Sequence, residues 1–365
     1  MSAALLRVWP RLAGRVQTVE LGAFPSPLER LDAIERELSR SSLYVKRDDL
    51  SSPVYGGNKV RTLEVLFGLA LAEGAREVHA VGAYGSNHAV ATVLHAPRAG
   101  LRGNVMLFPQ PESLAALENL RVSAALSHRC VALPHWSFVP WAIWRTRRAG
   151  AFVMVPGGAT PTGALGYVAA ALEVAEQFQR AGLPAPAEIV VGIGSCCTSA
   201  GLLVGVLHAA RQGLWRGKCP RIRAVRVSPW PVTSRFRVLS LALATSRHLA
   251  TLSDDRSLEL PRDELADALI IDGRELGAGY GRPSERGLSA LELFGKAAGM
   301  PLDTTYSAKA AAGFLRAARE AKADAPLLFW STKSSAPLPV PSEDELGRAP
   351  AAIRRYLERA RPTTR

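Results

Sequence analysis

Short runs rich in Val, Ile and Leu alternate along the chain with stretches whose apolar residues recur at helical spacing. AEIVVGIGS reads as a strand, CCTSAGLLVGVLHAARQG as a helix and IRAVRVSP as the next strand. Upstream, residues 17–50 give a proline-punctuated loop, a charged amphipathic stretch and a strand, LYVKRDDL. NKVRTLEVLFGLALAEGA has the apolar spacing of a helix and ends on Gly74, a residue suited to a C-cap. REVHAVGA then reads as a strand, YGSNHAVATVLHAPRAG as a tight turn and a helix, and RGNVMLFPQ as another strand. The chain beyond about 340 is polar and proline-interrupted, which predicts a surface helix and a loose end. Alternating strands and helices predict an α/β fold with two open, twisted, mostly parallel sheets flanked by helices. In such folds ligands bind beyond the carboxyl ends of strands. Three glycine-rich turns stand at those ends: 56–59, 85–88 and 194–198.

Composition narrows the class. The 365 residues are 48% hydrophobic and 21% charged, and they suffice for two domains. No apolar run approaches the ~20 residues of a membrane helix. The first residues, MSAALLRVWPRLAGR, lack the three-part pattern of a secretory signal, so a cytoplasmic protein with no membrane partner is expected. Cys130, Cys196, Cys197 and Cys219 make neither a disulfide framework nor a zinc spacing, and no metal is expected. The net charge of +13 would permit nucleic-acid binding, but seven of the 45 basic residues are lysines and the rest are arginines spread along the chain. The one dense cluster is WRTRRAG at 144–150, and no nucleic-acid-binding motif accompanies it. An arginine-rich composition accounts for the charge without a nucleic-acid partner.

The three turns carry the candidate chemistry. In VVGIGSCCTSAGLL a strand runs into Gly194, Ser195, Cys196, Cys197 and Thr198 and then into a small-residue helix. Free N–H groups of the first helical turn, with Ser and Thr hydroxyls, suit an anion; an ordinary capped turn would look the same. The spacing fits neither a dinucleotide fingerprint nor a Walker loop. GAYGSNHAVAT sets Ser86, Asn87 and His88 at a helix start, where a substrate carboxylate could dock or the residues could simply cap the helix. VYGGNKVRT places Lys59 directly after two glycines and Asn58. A lysine amine adds to an aldehyde, and glycines admit a bulky planar partner. Lysine, anion cradle and carboxylate site together ask for pyridoxal phosphate and a small amino-acid substrate.

FPSPLERL, LYVKRDDL, GGNKVRTLE, GSNHA, PGGATPTGALGYVAAALE, GSCCTSAGL, GYGRPSE and DTTYSAKAAAGF follow one another in an order that resembles the D-cysteine desulfhydrase / 1-aminocyclopropane-1-carboxylate deaminase family. These are pyridoxal-phosphate enzymes of the tryptophan synthase β-like fold, and the resemblance spans roughly residues 19–335. It implies that Lys59 holds the cofactor covalently, with Asn58 beside it, and that Asn87 partners the cofactor's phenolic oxygen. Ser86 would assist proton transfer or orient substrate, and Tyr280 and Tyr306 would be the active-site tyrosines. A tyrosine there could shuttle a proton if its neighbours lower its pKa. Residues 194–198 would form the phosphate loop, and Thr332 would lie near the pyridine nitrogen. Ser307 and Thr332 resemble the desulfhydrase pattern, so the resemblance implies α,β-elimination from D-cysteine or a related D-amino acid to a 2-oxo acid, ammonia and sulfide. The alternatives are a 1-aminocyclopropane-1-carboxylate deaminase and a non-catalytic member that binds or regulates. The resemblance also implies a homodimer, with a smaller domain, 61–170, inserted into a larger one, 1–60 and 171–365.

Four positions depart from the family pattern: Cys196–Cys197 where glycines are usual, Thr62 where a basic residue is usual, STKSS at 331–335 and Pro97 inside the helix after GSNHA. Cysteine does not adopt positive φ cheaply. Pro97 is expected to end or kink its helix. At a helix N-terminus the two thiols could be acidified and reactive, or they could simply pack.

Overall fold

The computed structural model describes residues 3–322 and 324–360. The ten strands among these residues are β1 Leu28–Arg30, β2 Leu43–Arg47, β3 Glu77–Ala83, β4 Arg102–Phe108, β5 Arg129–Ala132, β6 Phe152–Met154, β7 Glu188–Ile193, β8 Arg221–Arg226, β9 Leu269–Asp272 and β10 Leu327–Ser331. They form a six-stranded sheet in the order β1-β2-β10-β7-β8-β9 and a four-stranded sheet in the order β5-β4-β3-β6. Every pairing among them is parallel except β1 with β2. The expected α/β architecture of two mostly parallel sheets flanked by helices is what the chain forms.

The central strands are largely buried because helices cover both faces, and their polar residues, such as Lys46 and Arg223, are paired in buried ion pairs. β10, Leu-Leu-Phe-Trp-Ser, is buried at every position. The helices Pro161–Arg180 and Cys197–Arg211 meet at glycine: a Cβ on Gly201 would lie 2.4 Å from the Ala164 carbonyl oxygen. Only a residue without a side chain allows that approach.

Most of the strands and helices read from the sequence are present. LYVKRDDL gives β2, but the strand stops at Arg47 because Asp48–Leu50 turn into a 3-10 helix. Gly74, with φ 75°, follows the helix Asn58–Ala72 as expected. The helix Asn87–His95 stops short of Pro97, which opens a 3-10 turn, Ala96–Ala99. The proline-punctuated loop holds β1, a three-residue strand that sequence periodicity is too short to show. The tail is more than a surface helix: Ile353 and Leu357 of Ala351–Arg359 are buried in the core beneath the four-stranded sheet. The expected loose end, 361–365, lies outside the described residues.

A buried ion cluster locks the start of the lysine-bearing helix to the large sheet. Arg61 donates to Asp48 and to Glu173, and Lys46 donates to Glu173 at 2.6 Å. Tyr167 and Trp330 also donate to Asp48, at 2.9 and 2.8 Å. Burial alone would raise the Asp48 pKa; the Arg61 guanidinium and these donors instead hold it down at about 2.

Candidate active site

Six strands deliver their carboxyl ends to one cleft. β2 leads through Asp48–Leu50 to the turn before Lys59, β3 to 84–88, β4 to Gln110, β6 to Gly157–Gly158, β7 to 194–198 and β10 to Thr332 and Lys333. This is where parallel sheets bind ligands.

Lys59 sits at the first turn of its helix. Gly57 precedes it at φ 88°, and a Cβ there would stand 2.4 Å from the Thr332 carbonyl oxygen. Asn58 N–H donates to that same oxygen at 3.0 Å, and Asn58 Nδ2 donates to Thr198 Oγ1 at 3.0 Å. The lysine turn is thereby pinned to both β10 and the 194–198 loop. Lys59 is half-buried as a residue, and the one hydrogen bond of its amine among the described residues, to the Gly157 carbonyl, is long at 3.3 Å. Burial lowers its pKa, which favours the neutral, nucleophilic amine.

Gly157 and Gly158, both at positive φ, hold the opposite wall. A Cβ at Gly157 would meet Ser195 Oγ at 2.3 Å and Lys59 Nζ at 3.5 Å. A Cβ at Gly158 would meet Thr62 Cγ2 at 2.7 Å. Thr62 therefore fills the space under Gly158, and the neighbouring cation, Arg61, is committed to Asp48 and Glu173. Neither supplies a positive charge to the loop.

The 194–198 loop bends at Cys196, which takes φ 73°. This is the left-handed conformation that glycine adopts freely, imposed here on a residue with a Cβ. The Cys196 carbonyl accepts the Ala200 N–H at 3.0 Å, so the earlier N–H groups of the helix Cys197–Arg211 have no intrahelical acceptor. Gly194 is required for packing, since a Cβ would stand 2.9 Å from Tyr306 Cε1. The two thiols are free and buried, with Cys197 Sγ 3.4 Å from the Gly158 carbonyl oxygen. Burial raises both their pKa values, which overturns the option of acidified, reactive thiols.

The turn after β3 has Ser86 as N-cap, accepting the Ala89 N–H at 3.3 Å. Asn87 faces the cleft with its orientation fixed by neighbours. Asn119 Nδ2 donates to the Gly85 carbonyl at 3.0 Å and to Asn87 Oδ1 at 2.8 Å, and the Tyr55 hydroxyl donates to Asn87 Oδ1 at 2.9 Å. With Oδ1 taken twice, Asn87 Nδ2 is left as a donor for a ligand. His88 points inward instead: it is 1% exposed, and both ring nitrogens lack hydrogen-bond partners. Burial, with the nearby Lys59, lowers its pKa to about 3, so the ring is neutral.

Tyr280 and Tyr306 are brought together, with hydroxyl oxygens 2.6 Å apart and rings edge-on. Their pKa values are not lowered. Burial pushes Tyr280 up to about 12 and Tyr306 well above its ordinary value, so both phenols hold their protons. Asp303 sets Tyr306 in place, accepting the N–H of Thr305, Tyr306 and Ser307 at 2.9, 2.6 and 3.1 Å. Ser307 Oγ donates to Asp303 Oδ2 at 2.7 Å, so this hydroxyl braces the loop that carries Tyr306.

Gln110, Asn119, Asp303, Thr305 and Lys333 line the cleft as well, together with Asn87. Sequence reasoning did not single out these five as site residues, nor Tyr55, Gly157 and Gly158. Tyr55 had a signal, since it lies four residues before Lys59 in the same glycine-rich turn. Lys333 had one too, since it is a charged residue two positions beyond a strand that is apolar up to its last residue, LLFWS.

These groups fit pyridoxal phosphate. An amine with spare valence stands between positive-φ glycines, beside a helix start with unpaired N–H groups, and an amide donor aims into the same space.

The model of the family described as pyridoxal-phosphate dependent enzyme matches residues 19–332. The chain is 33% identical over 327 residues to a D-cysteine desulfhydrase of Serratia proteamaculans, covering 86% of this chain and 92% of that protein. It is also 33% identical over 332 residues to a nocardicin C-9' epimerase of Nocardia uniformis, covering 88% and 94%. Among solved structures, an ACC deaminase homologue superposes with a TM-score of 0.73 at 28% identity, covering 92% of this chain and 96% of that one. The processed form of threonine deaminase isoform 2 from Solanum lycopersicum shares the fold, with a TM-score of 0.55 at 14% identity, covering 100% of this chain and 90% of that one.

Proposed function

This chain belongs to the pyridoxal-phosphate dependent enzymes, and from that premise we propose that it removes the Cα proton of a small amino acid and expels its β-substituent. Its chemistry is that of a lyase or deaminase. The substrate we propose is D-cysteine or a related D-amino acid, the class named for the desulfhydrase relative. The observation that carries this reading is the Lys59 amine, with one long hydrogen bond to Gly157, beside the 194–198 loop whose Gly194 packs against Tyr306, the hydrogen-bonded partner of Tyr280.

Lys59 would hold the cofactor covalently, Asn87 Nδ2 would donate to it, and the 194–198 loop with Asn58 and Thr332 would seat it. When bound, the cofactor supplies an electron sink for the negative charge left at Cα. Asn87 and His88 give the substrate carboxylate the free N–H groups of the first helical turn, the Ser86 N–H being held by the Ala83 carbonyl. The Ser86 oxygen accepts the Ala89 N–H, which leaves its hydroxyl proton to donate. Lys59, freed when the substrate's own amine takes its place, would take the Cα proton. The Cβ–S bond breaks with its electron pair on sulfur, and Tyr280 or Tyr306, both protonated, supplies a proton to the leaving thiolate. The enamine left behind takes up water to give a 2-oxo acid and ammonia.

Removal of the Cα proton is also the step an epimerase performs, and one relative is named as an epimerase. The outcome then depends on whether the side chain carries a leaving group. A ring-opening deaminase is the second reading, favoured by the ACC deaminase homologue. Ser307 bears on the choice only indirectly, because its hydroxyl is committed to Asp303. The proposal further includes a homodimer in the cytoplasm and a smaller unit, 61–170, within a larger one, 1–60 and 171–365; β3 to β6 lie in the former. Among the described residues no helix is long and apolar enough to cross a membrane.

The test compares sulfide and pyruvate from D- and L-cysteine with 2-oxobutyrate from 1-aminocyclopropane-1-carboxylate, using purified protein loaded with pyridoxal phosphate. Sulfide from D-cysteine is expected. Product from the cyclopropane substrate alone would overturn the elimination reading.

A further inference from the structure

Lysine is scarce in this chain, and its placement is informative. Of the seven, Lys218, Lys296 and Lys322 are exposed or half-exposed. The other four point inward, and their ammonium groups differ in how far they are satisfied. Lys46 Nζ has three acceptors, Ser26 O, Glu173 Oε1 and Gln177 Oε1, each at 2.6 Å. Lys309 Nζ has two, the carbonyls of Leu276 and Gly279, each at 2.8 Å. Lys59 has one at 3.3 Å, and Lys333 has one, the Tyr55 hydroxyl, at 3.5 Å. Both under-satisfied lysines are in the cleft. Under the proposed function Lys59 is taken up by the cofactor, and Lys333 is not.

Lys333 lies on the cleft lining with Asn87, Gln110, Asn119, Asp303 and Thr305. No carboxylate of the described residues comes within 4.0 Å of its ammonium, since none of the ion pairs includes it. Asp303, the acidic residue on the same lining, commits its oxygens to three backbone N–H groups and the Ser307 hydroxyl. Burial acts to lower the Lys333 pKa, but Tyr55 and Asp303 outweigh it, so the group stays charged. It also stands 5.3 Å from the Tyr55 ring centroid, a cation–π contact with the ring whose hydroxyl holds Asn87. The phosphate loop borders the same cleft through Gly194 and Tyr306, but among the described residues no hydrogen bond joins Lys333 to it.

A ligand that closes this cleft strips water from Lys333. A neutral side chain would leave the ammonium desolvated without a partner, whereas an anionic one would complete its hydrogen bonds. We propose that Lys333 is a specificity residue that pairs with a second acidic group, a carboxylate or similar oxyanion, at the side-chain end of the amino acid this cleft takes. The α-carboxylate remains on the 85–88 turn. This inference rests on the proposed function, since it needs an amino acid bound over the lysine-held cofactor.

The test is a binding titration on holoenzyme, read from the visible spectrum of the bound pyridoxal phosphate. The ligands are both enantiomers of aspartate, asparagine and alanine. Wild-type protein is expected to bind an aspartate about tenfold or more tightly than the isosteric, neutral asparagine. Lys333→Met is expected to erase that preference while alanine affinity stays within about twofold, and Lys333→Arg to keep part of it. Aspartate binding no tighter than asparagine in the wild type would overturn the inference. So would an equal loss for all three ligands in Lys333→Met, which would put the lysine on the α-carboxylate or the cofactor. Sulfide release from D-cysteine together with indifference to aspartate overturns the inference alone; failure to form holoenzyme overturns the proposed function and the inference with it.

Discussion

The Tyr55 hydroxyl donates to Asn87 Oδ1 at 2.9 Å and so decides which end of the Asn87 amide meets a ligand. Asn119 Nδ2, held by the Gly85 carbonyl, donates to the same oxygen, and the amide cannot flip without losing both bonds. Tyr55→Phe removes one of them. The expected loss is ~1 kcal/mol of orientation, seen as a roughly fivefold weaker affinity for pyridoxal phosphate in a spectroscopic titration. An unchanged affinity would remove Tyr55 from the account.

Tyr280 and Tyr306 act as a pair through their 2.6 Å contact. Replacing either by Phe should lower the elimination rate by about 10² or more while leaving cofactor absorbance intact. The double variant should be little worse than the single ones, because each phenol depends on the other. Because burial keeps both phenols protonated, to about pH 12 for Tyr280, the activity they support should not fall at moderately alkaline pH through their own ionisation.

Gly157 separates the lysine from the phosphate loop. With φ 69° and only 2.3 Å between its notional Cβ and Ser195 Oγ, alanine forces the wall outward. Gly157→Ala should weaken cofactor binding by about tenfold or more, measured by reconstitution of the apo protein, while the circular dichroism spectrum keeps its shape.

Cys196 carries a glycine's conformation, φ 73°. Cys196→Gly should therefore leave the melting temperature within a few degrees, as relief of ~1 kcal/mol of strain offsets lost packing and the entropy glycine adds to the unfolded chain. Cys196→Val, β-branched, should lower both melting temperature and cofactor affinity. The buried, high-pKa thiols should react slowly with thiol reagents in the native protein.

Much of this site is legible in the sequence because glycine-rich turns at strand ends are local features. Lys59 after Gly56–Gly57, Ser86–Asn87 after Gly85 and the 194–198 loop after β7 each declare themselves within a short stretch. Their mutual approach is not local. Asn58 meets Thr198 and Thr332 only after the chain has crossed both sheets. Asn119 has an ordinary sequence setting, Tyr55 and Lys333 have only faint local signals, and all three acquire roles through contacts with residues far away in the chain. His88 belongs to the right motif, but its ring turns into the interior, and no pattern in the sequence fixes that rotamer. Short strands such as β1 and β6 leave too few residues for any period to show.

The ion cluster behind Lys59 gives a pH-dependent prediction. Arg61→Met leaves Asp48 and Glu173 buried without their main counter-charge and should cost ~3–5 kcal/mol at about pH 7 by denaturant unfolding. In the wild type the Asp48 pKa is depressed to about 2, so its stabilising contribution is complete above the ordinary carboxylate value and is lost as pH falls through about 2. In the variant the carboxylates no longer gain from ionisation on folding. The gap between the two proteins should therefore narrow as the pH drops below about 4.

Lys59 is the residue on which cofactor binding and the chemistry both depend. Purified protein mixed with pyridoxal phosphate, reduced with borohydride and digested should carry the pyridoxyl label on the peptide containing Lys59. A visible absorbance band should appear before reduction, and neither signal should appear in Lys59→Ala. A label on another lysine, or no band at all in the wild type, would contradict the assignment.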